Sequence, residues 1–251
     1  MRLDKAAALA GLTRAEAKKA IAAGRVRVDG VPARDAGMQV SPASVTVDGA
    51  PVDAPGEVYA MINKPAGVVT ATEDRRLPTV ADLLPEPLRR RGPGPVGRLD
   101  RDVTGLVLMT TDGQLAHRLI SPKWKAEKCY RARCEGRLDE AAVRAFREGL
   151  ALRDFTARPA EMAILSADDA ASLADVTLTE GKFHQVKRMF AAVGHPLIAL
   201  ERRRIGCVTL DEGLPPGGFR LLTEAEIAGL RALCGLDETG RQEDGQDGPN
   251  R

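Results

Sequence analysis

Apolar positions recur along the chain at two spacings, and each change of spacing marks the end of an element. Leu3, Ala6, Ala7 and Ala10 share one face of a short helix. Thr13 and Glu16 form a T-x-x-E capping box for a second helix, which Gly24 closes in a left-handed conformation. "RVRVDG" (25–30) alternates polar and β-branched residues and ends in an Asp-Gly hairpin signal, and "VTVDG" (45–49) repeats it. "APVDAPGE" (50–57), rich in proline and small residues, breaks the pattern. Residues 1–49 therefore read as a small helical and β unit, and 50–57 as a linker.

From 58 to 234 strand and helix patterns interleave irregularly. "VYAMIN" (58–63) reads as a strand and "LPTVADLLP" (77–85) as a short helix between prolines. "RRRGPGPVG" (89–97) reads as loop, because its glycines and prolines break regular elements. "TGLVLMT" (104–110) is a buried strand, and Asp112 caps a helix running through Ile120. "EKCYRARCEG" (127–136) alternates as a strand, and "DEAAVRAFREGL" (139–150) is a helix capped by Asp139. Strands are expected near 160–165 and 173–179. "KFHQVKRMFAAVG" (182–194) has the strongest helical pattern: Phe183, Val186, Phe190 and Val193 make an apolar stripe, with His184, Lys187 and Arg188 opposite. "PLIALERRRIG" (196–206) is a strand, and Thr223 with Glu226 boxes a last helix. Residues 235–251 read as a disordered acidic tail. No repeat is present. The irregular order predicts an α+β fold with a largely antiparallel, mixed sheet flanked by helices.

Composition narrows the class. The 251 residues are 43% hydrophobic and 29% charged, as in soluble globular proteins. No run approaches the ~18 apolar residues of a membrane span, and "MRLDKAAALAG" lacks the apolar core of an export signal, so a cytoplasmic location is expected. Cys129, Cys134, Cys207 and Cys234 make no C-x-x-C pair, which favours reduced thiols over zinc. The net charge is only +2, but residues 1–28 carry seven Lys or Arg against two acids, whereas 237–251 carry five acids against two arginines.

"NKPAGVVTA" (63–71), "GRLDRDVTGLVLMTTDG" (97–113), "EKCYRARCEG" (127–136) and "LTEGKFHQVKRMFAAVG…RRRIG" (178–206) occur in this order, with "MRLDK…TRAEAKKAI…GRVRVDG" before them. Together they closely resemble the RsuA family of bacterial pseudouridine synthases over residues 1–233, and within it most closely the branch that modifies small-subunit (16S) rRNA. The first unit resembles the RNA-binding domain named after ribosomal protein S4. The resemblance implies isomerisation of uridine to pseudouridine inside RNA, without cofactor or metal. It implies Asp100, the acid of G-R-L-D, as the essential carboxylate. It implies Tyr130 of "K-x-Y" (128–130) as the ring that stacks on the target uracil and helps move the carbon 5 proton. Lys187 of H-Q-V-K is then the cation paired with the carboxylate, where relatives outside this branch carry Arg.

These roles suit the residue types. Cutting a glycosidic bond needs a group that attacks ribose or supports developing positive charge, and a carboxylate does either. Direct attack and proton loss to a glycal-type intermediate are both open to Asp100. A partly buried carboxylate stays ionised when a cation is close. A flipped base needs an aromatic platform to recover its lost stacking. Arg98, Ile205 and Leu200 are candidates for the pocket. Asp102 reads as a turn residue, and the Asp100-x-Asp102 pair has no third ligand to suggest a metal. Lys64, Pro65 and Gly67 read as scaffold. Arg14, Lys18, Lys19, Arg25 and Arg27, with Arg202, Arg203 and Arg204, are candidate phosphate contacts. The expected partner is 16S rRNA as an assembly intermediate, met by a monomer away from any membrane. Three other readings stand beside this one: a large-subunit (23S) rRNA synthase of the same family, a non-catalytic rRNA-binding assembly factor, and a hydrolytic glycosidase, which would need a second catalytic acid.

Overall fold

The computed structural model describes residues 1–52 and 56–236, without the side chain of Ala43. Two compact units, Met1–Glu57 and Val58–Arg251, divide the chain.

The first unit opens with helices α1 (Leu3–Ala8) and α2 (Arg14–Ala22) and continues into strands β1 (Val26–Val28), β2 (Val31–Pro32), β3 (Val45–Val47) and β4 (Ala50–Pro51). The strands form one antiparallel sheet in the order β2-β1-β3-β4. Both halves of the Thr13–Glu16 capping box are made, at 3.2 Å and 2.7 Å. The two Asp-Gly pairs turn their hairpins with both residues at positive φ, near 49° and 79° at Asp29 and Gly30 and 53° and 82° at Asp48 and Gly49. That geometry matches the twist of the flanking strands. Leu3, Ala17, Ile21, Val26 and Val45 meet in the unit's own core. The stretch read as a linker starts as β4, because Ala50 and Pro51 pair with Val47 and Thr46.

The second unit is built on a nine-stranded sheet. Its elements in chain order are β5 (Tyr59–Lys64), α3 (Glu86–Arg90), β6 (Gly94–Pro95), β7 (Thr104–Thr110), α4 (Gly113–Ile120), β8 (Lys128–Glu135) and α5 (Glu140–Glu148). A two-stranded hairpin, β9 (Leu150–Ala151) with β10 (Thr156–Ala157), leads to β11 (Glu161–Ala167), β12 (Ala171–Leu178), α6 (Gln185–Ala192), β13 (Leu197–Ile205), β14 (Val208–Thr209), β15 (Phe219–Leu221) and α7 (Glu224–Leu233). The main path runs β11-β12-β8-β13-β7-β5-β15, with β14 on β13 and β6 on β7. Only β13 and β7 pair in parallel; every other neighbour is antiparallel, which is the mixed α+β architecture expected.

Both faces of this sheet are covered, which explains the unbroken apolar run of β7. Val107 and Met109 enter one core with Phe146 and Phe190, while Leu106 and Leu108 enter the other with Leu115 and Leu230. Helix starts are capped as expected: Asp112 accepts from Leu115 N–H, Asp139 from Ala142 N–H, and Thr223 from Glu226 N–H.

Three expectations are corrected. Within 89–97, Gly94 and Pro95 pair with Thr110 and Met109; at the sheet edge a proline loses no ladder bond that matters, so the segment is not all loop. The helix expected from Lys182 starts at Gln185, so Phe183 leaves the apolar stripe and stands 76% exposed, and Met189 takes its place beside Val186 and Phe190. The chain stays packed beyond Cys234, with Leu236 buried in the second core; the rest of the expected tail lies outside the described residues. Among the described residues no helix is long and apolar enough to cross a membrane.

Candidate active site

The loop from β6 to β7 carries Asp100, and backbone contacts hold it from both sides. Thr70 Oγ1 donates to Leu99 O at 2.8 Å and accepts from Leu99 N–H at 3.1 Å. Below the loop, the fully buried Lys64 ammonium at the end of β5 donates to Pro65 O, Arg101 O and Val103 O at 2.9, 3.1 and 2.7 Å. Gly67 N–H also donates to Arg101 O, at 2.9 Å. Burial pulls the Lys64 pKa down to about 8, although Asp102 and Asp100 pull the other way. The "NKPAG" stretch thus holds the backbone of the acidic loop in place. Where the loop enters β7, Gly105 sits at φ near 97°, and a Cβ there would lie 2.4 Å from Arg202 O. Glycine is required at that point both by backbone conformation and by the close approach of β13.

Asp100 opens into a solvent-facing cleft walled by residues of the β6–β7 loop, β8, β12, β13 and α6. The cleft brings together Arg98, Asp100, Tyr130, Lys187 and Leu200, five of the residues singled out from sequence. Tyr130 comes from the middle of β8, Leu200 from β13 and Lys187 from α6. The Tyr130 ring is 8% exposed, and its hydroxyl has no hydrogen-bond partner among the described residues. Arg98 is exposed at the rim, with no ion pair among the described residues.

Lys187 is the electrostatic centre of the site. Its ammonium lies 3.1 Å from Asp100 Oδ2 and donates to both oxygens of Asp102, at 2.8 and 2.9 Å. Partial burial alone would lower its pKa, but the contacts to Asp102 and Asp100 outweigh burial and raise it. Hydrogen bonding to Lys187 in turn holds Asp102 below the usual carboxylate range. The other oxygen of Asp100 faces His184 Nε2 at 3.4 Å. Asp102 therefore does more than shape a turn: its side chain shares the Lys187 cation with Asp100.

Sequence reasoning missed the acid Glu180 and the amide Gln185. Both are buried at the cleft wall, and Gln185 Nε2 donates to Glu180 Oε1 at 2.6 Å. Arg158 N–H gives that same oxygen a second bond, at 2.9 Å. Their signal was the acid-glycine step at 180–181, just before H-Q-V-K.

Four candidates are placed elsewhere. Ile205 does not wall the cleft; after a register shift in β13 it lies on the sheet's other face, with Met61, Leu106 and Val208. Arg202 is 2% exposed and its Nε donates to Leu106 O at 2.8 Å, because β13 runs inside the sheet rather than along an edge. Arg203 contacts Glu201 and Glu212, and Arg204 contacts Glu127, so the basic run is not a free phosphate track. In the first unit Arg14, Lys18 and Lys19 are exposed on α2, whereas Arg25 pairs with Asp48 and Arg27 donates to Gly30 O. No group of three or more His, Cys, Asp or Glu side chains is placed to hold a metal ion among the described residues.

Comparison with known proteins places both parts of the chain in known families. Residues 58–192 match the RNA pseudouridylate synthase family, and residues 1–45 match the S4 domain. An RNA pseudouridine synthase of Bacillus subtilis is 43% identical over 90% of this chain and 97% of its own length. The ribosomal small subunit pseudouridine synthase A of Escherichia coli is 43% identical over 92% of this chain and all of its own. The crystal structure of a pseudouridylate synthase, 39% identical, covers 92% of this chain and 99% of that one, with a TM-score of 0.66. By its sequence, its two domains and its near full-length match to these relatives, the chain belongs to the RNA pseudouridylate synthase family.

Proposed function

We propose that this protein isomerises one uridine of 16S ribosomal RNA to pseudouridine, as a cytoplasmic monomer acting on an assembling small subunit, with Asp100 as its catalytic residue. The observation that carries the reading is the convergence of one carboxylate, one cation and one aromatic ring in a single cleft: Asp100, Lys187 and Tyr130. The small-subunit relatives, matched over nearly their whole lengths, support the choice of RNA.

The reaction balances within the nucleotide. The bond from ribose C1′ to uracil N1 breaks, C1′ joins C5, and the proton leaving C5 is balanced by one gained at N1. No water, oxidant or metal enters the sum. The Asp100 carboxylate supports the ribose as the base departs, and the Lys187 ammonium, 3.1 Å from Oδ2, holds that oxygen in place beside the sugar. Tyr130 holds the free uracil against Leu200 while it turns, and its unpartnered hydroxyl is available to the C5 proton. Flipping a base out of RNA costs a few kcal/mol, which stacking in the cleft offsets. Of the candidate phosphate contacts, Arg14, Lys18 and Lys19 on α2, with Arg98 at the rim, are exposed and make no ion pair among the described residues, so they suit phosphate positioning.

A pseudouridine map of both ribosomal RNAs, by carbodiimide-stop primer extension, tests this reading. Cells lacking the gene should lose a single 16S stop that wild type restores and Asp100→Asn does not. A lost 23S stop would keep the enzyme and move its target. An unchanged map would leave an RNA-binding assembly factor.

A further inference from the structure

Phe183 lies between Lys182 and His184, which line the cleft, and it is the most exposed large apolar residue among the described residues, at 76%. Single exposed apolar residues are common on proteins and need no explanation by themselves. This one is held in place. The turn that carries it is closed by Gln185 N–H donating to Lys182 O at 3.1 Å, and Lys182 N–H donates back to Gln185 Oε1 at 2.9 Å. The same buried Gln185 is tied to the buried Glu180, so the turn is latched to the wall of the cleft. Within it His184 takes a left-handed conformation, φ near 51°, uncommon for a residue with a side chain.

The two aromatic rings of the turn stack, with centroids 3.7 Å apart and planes at 20°. His184 fills one face of Phe183 and points its Nε2 at Asp100. The other face of Phe183 is left to solvent, one ring away from the catalytic carboxylate. Resting on the reading that the cleft takes a uridine out of RNA, we infer that Phe183 is a stacking platform for the unpaired nucleobase next to that uridine. Removing one base from a strand exposes a face of its neighbour, and an aromatic side chain accepts such a face whatever the base. Lys182, 3.8 Å from the centroid of the Phe155 ring and with no carboxylate within ion-pair distance among the described residues, adds positive charge for the intervening phosphate.

The test uses the full-length protein and an rRNA fragment centred on the uridine located by the pseudouridine map, with 2-aminopurine in turn at each adjacent position. Stacking quenches this base. Phe183→Ala should raise KM about tenfold, the loss expected for one stacked base, while kcat stays within about twofold. It should also abolish the quenching seen on binding to wild type at one of the two positions. Phe183→Trp should keep both properties, and Phe183→Leu, which keeps the apolar surface but not the π face, should behave like alanine. The side chain is exposed, so none of these changes disturbs the core. An unchanged KM with unchanged quenching in Phe183→Ala would overturn the proposal. Failure of wild type itself to isomerise any uridine would overturn the reading of the cleft instead.

Discussion

Lys187 serves two carboxylates at once. A lysine ammonium is a compact charge on a flexible stem and has no fork with which to fix a carboxylate's orientation. Asp102 supplies the missing constraint, because both of its oxygens accept from Nζ and hold that nitrogen against Asp100 Oδ2. Asp102→Ala should therefore lower kcat by about tenfold with little change in KM, since a small misplacement of a catalytic partner is costly. Placing arginine at 187 should shrink the same loss to about twofold, because a bidentate guanidinium orients Asp100 unaided. Single-turnover rates for the two single variants and the double variant measure this directly. Losses of equal size in both backgrounds would mean that Asp102 works through something other than Lys187. From sequence Asp102 looked like a turn residue because Asp-Val-Thr-Gly suits a turn; its ion pair spans 85 positions and leaves no local signature.

At the scale of elements, the acidic loop is a product of the strand that ends beneath it. Lys64 closes β5, and two of its three bonds fix the carbonyls on both sides of Asp102, those of Arg101 and Val103. The ammonium is buried without a carboxylate hydrogen bond, which is why its pKa falls to about 8 against an ordinary 10.5. Between these values the unfolded chain holds a proton that the folded chain has released, so this group's contribution to stability rises with pH across 8 to 10.5 and is lost as pH falls through 8. Relative to Lys64→Met, wild type should thus gain stability at up to about 1.4 kcal/mol per pH unit in that window, and nothing between pH 6 and 7.5. Denaturant melts of both proteins at a series of pH values give the difference; a flat difference through pH 10 would show that Lys64 titrates normally. The elements were legible in the sequence wherever a local rule acts: capping boxes at Thr13 and Thr223, caps at Asp112 and Asp139, and paired Asp-Gly turns. They were not legible where both faces of a strand are covered. In β7 and β13 the alternation that would separate inside from outside disappears, so Arg202 passed for a surface cation and Ile205 for a wall of the cleft. Phe183 failed differently, since a helical period was read through a turn that carries its own fold.

On the scale of the whole molecule, the two units have separate cores. The first unit's core is built from residues between Leu3 and Val52, and the cores of the sheet unit draw on residues from Ala60 onward. Residues 58–251 should therefore fold without the first unit, with a cooperative melt and an intact cleft. What they should lose is grip on RNA. Three exposed cations of α2, Arg14, Lys18 and Lys19, make no ion pair among the described residues, while most arginines of the sheet unit's basic run are committed to carboxylates or buried. With one phosphate met by each of the three, deletion should lower the slope of log affinity against log salt by about 2 to 3, and weaken binding most at low salt. The same deletion should leave single-turnover isomerisation of a short RNA fragment within a few-fold of the full chain at saturating RNA, because Asp100, Tyr130 and Lys187 all belong to the sheet unit. A salt slope unchanged by the deletion would place the phosphate contacts on the rim of the cleft itself, around Arg98 and Lys182, and would leave the first unit to recognise RNA by shape rather than by charge.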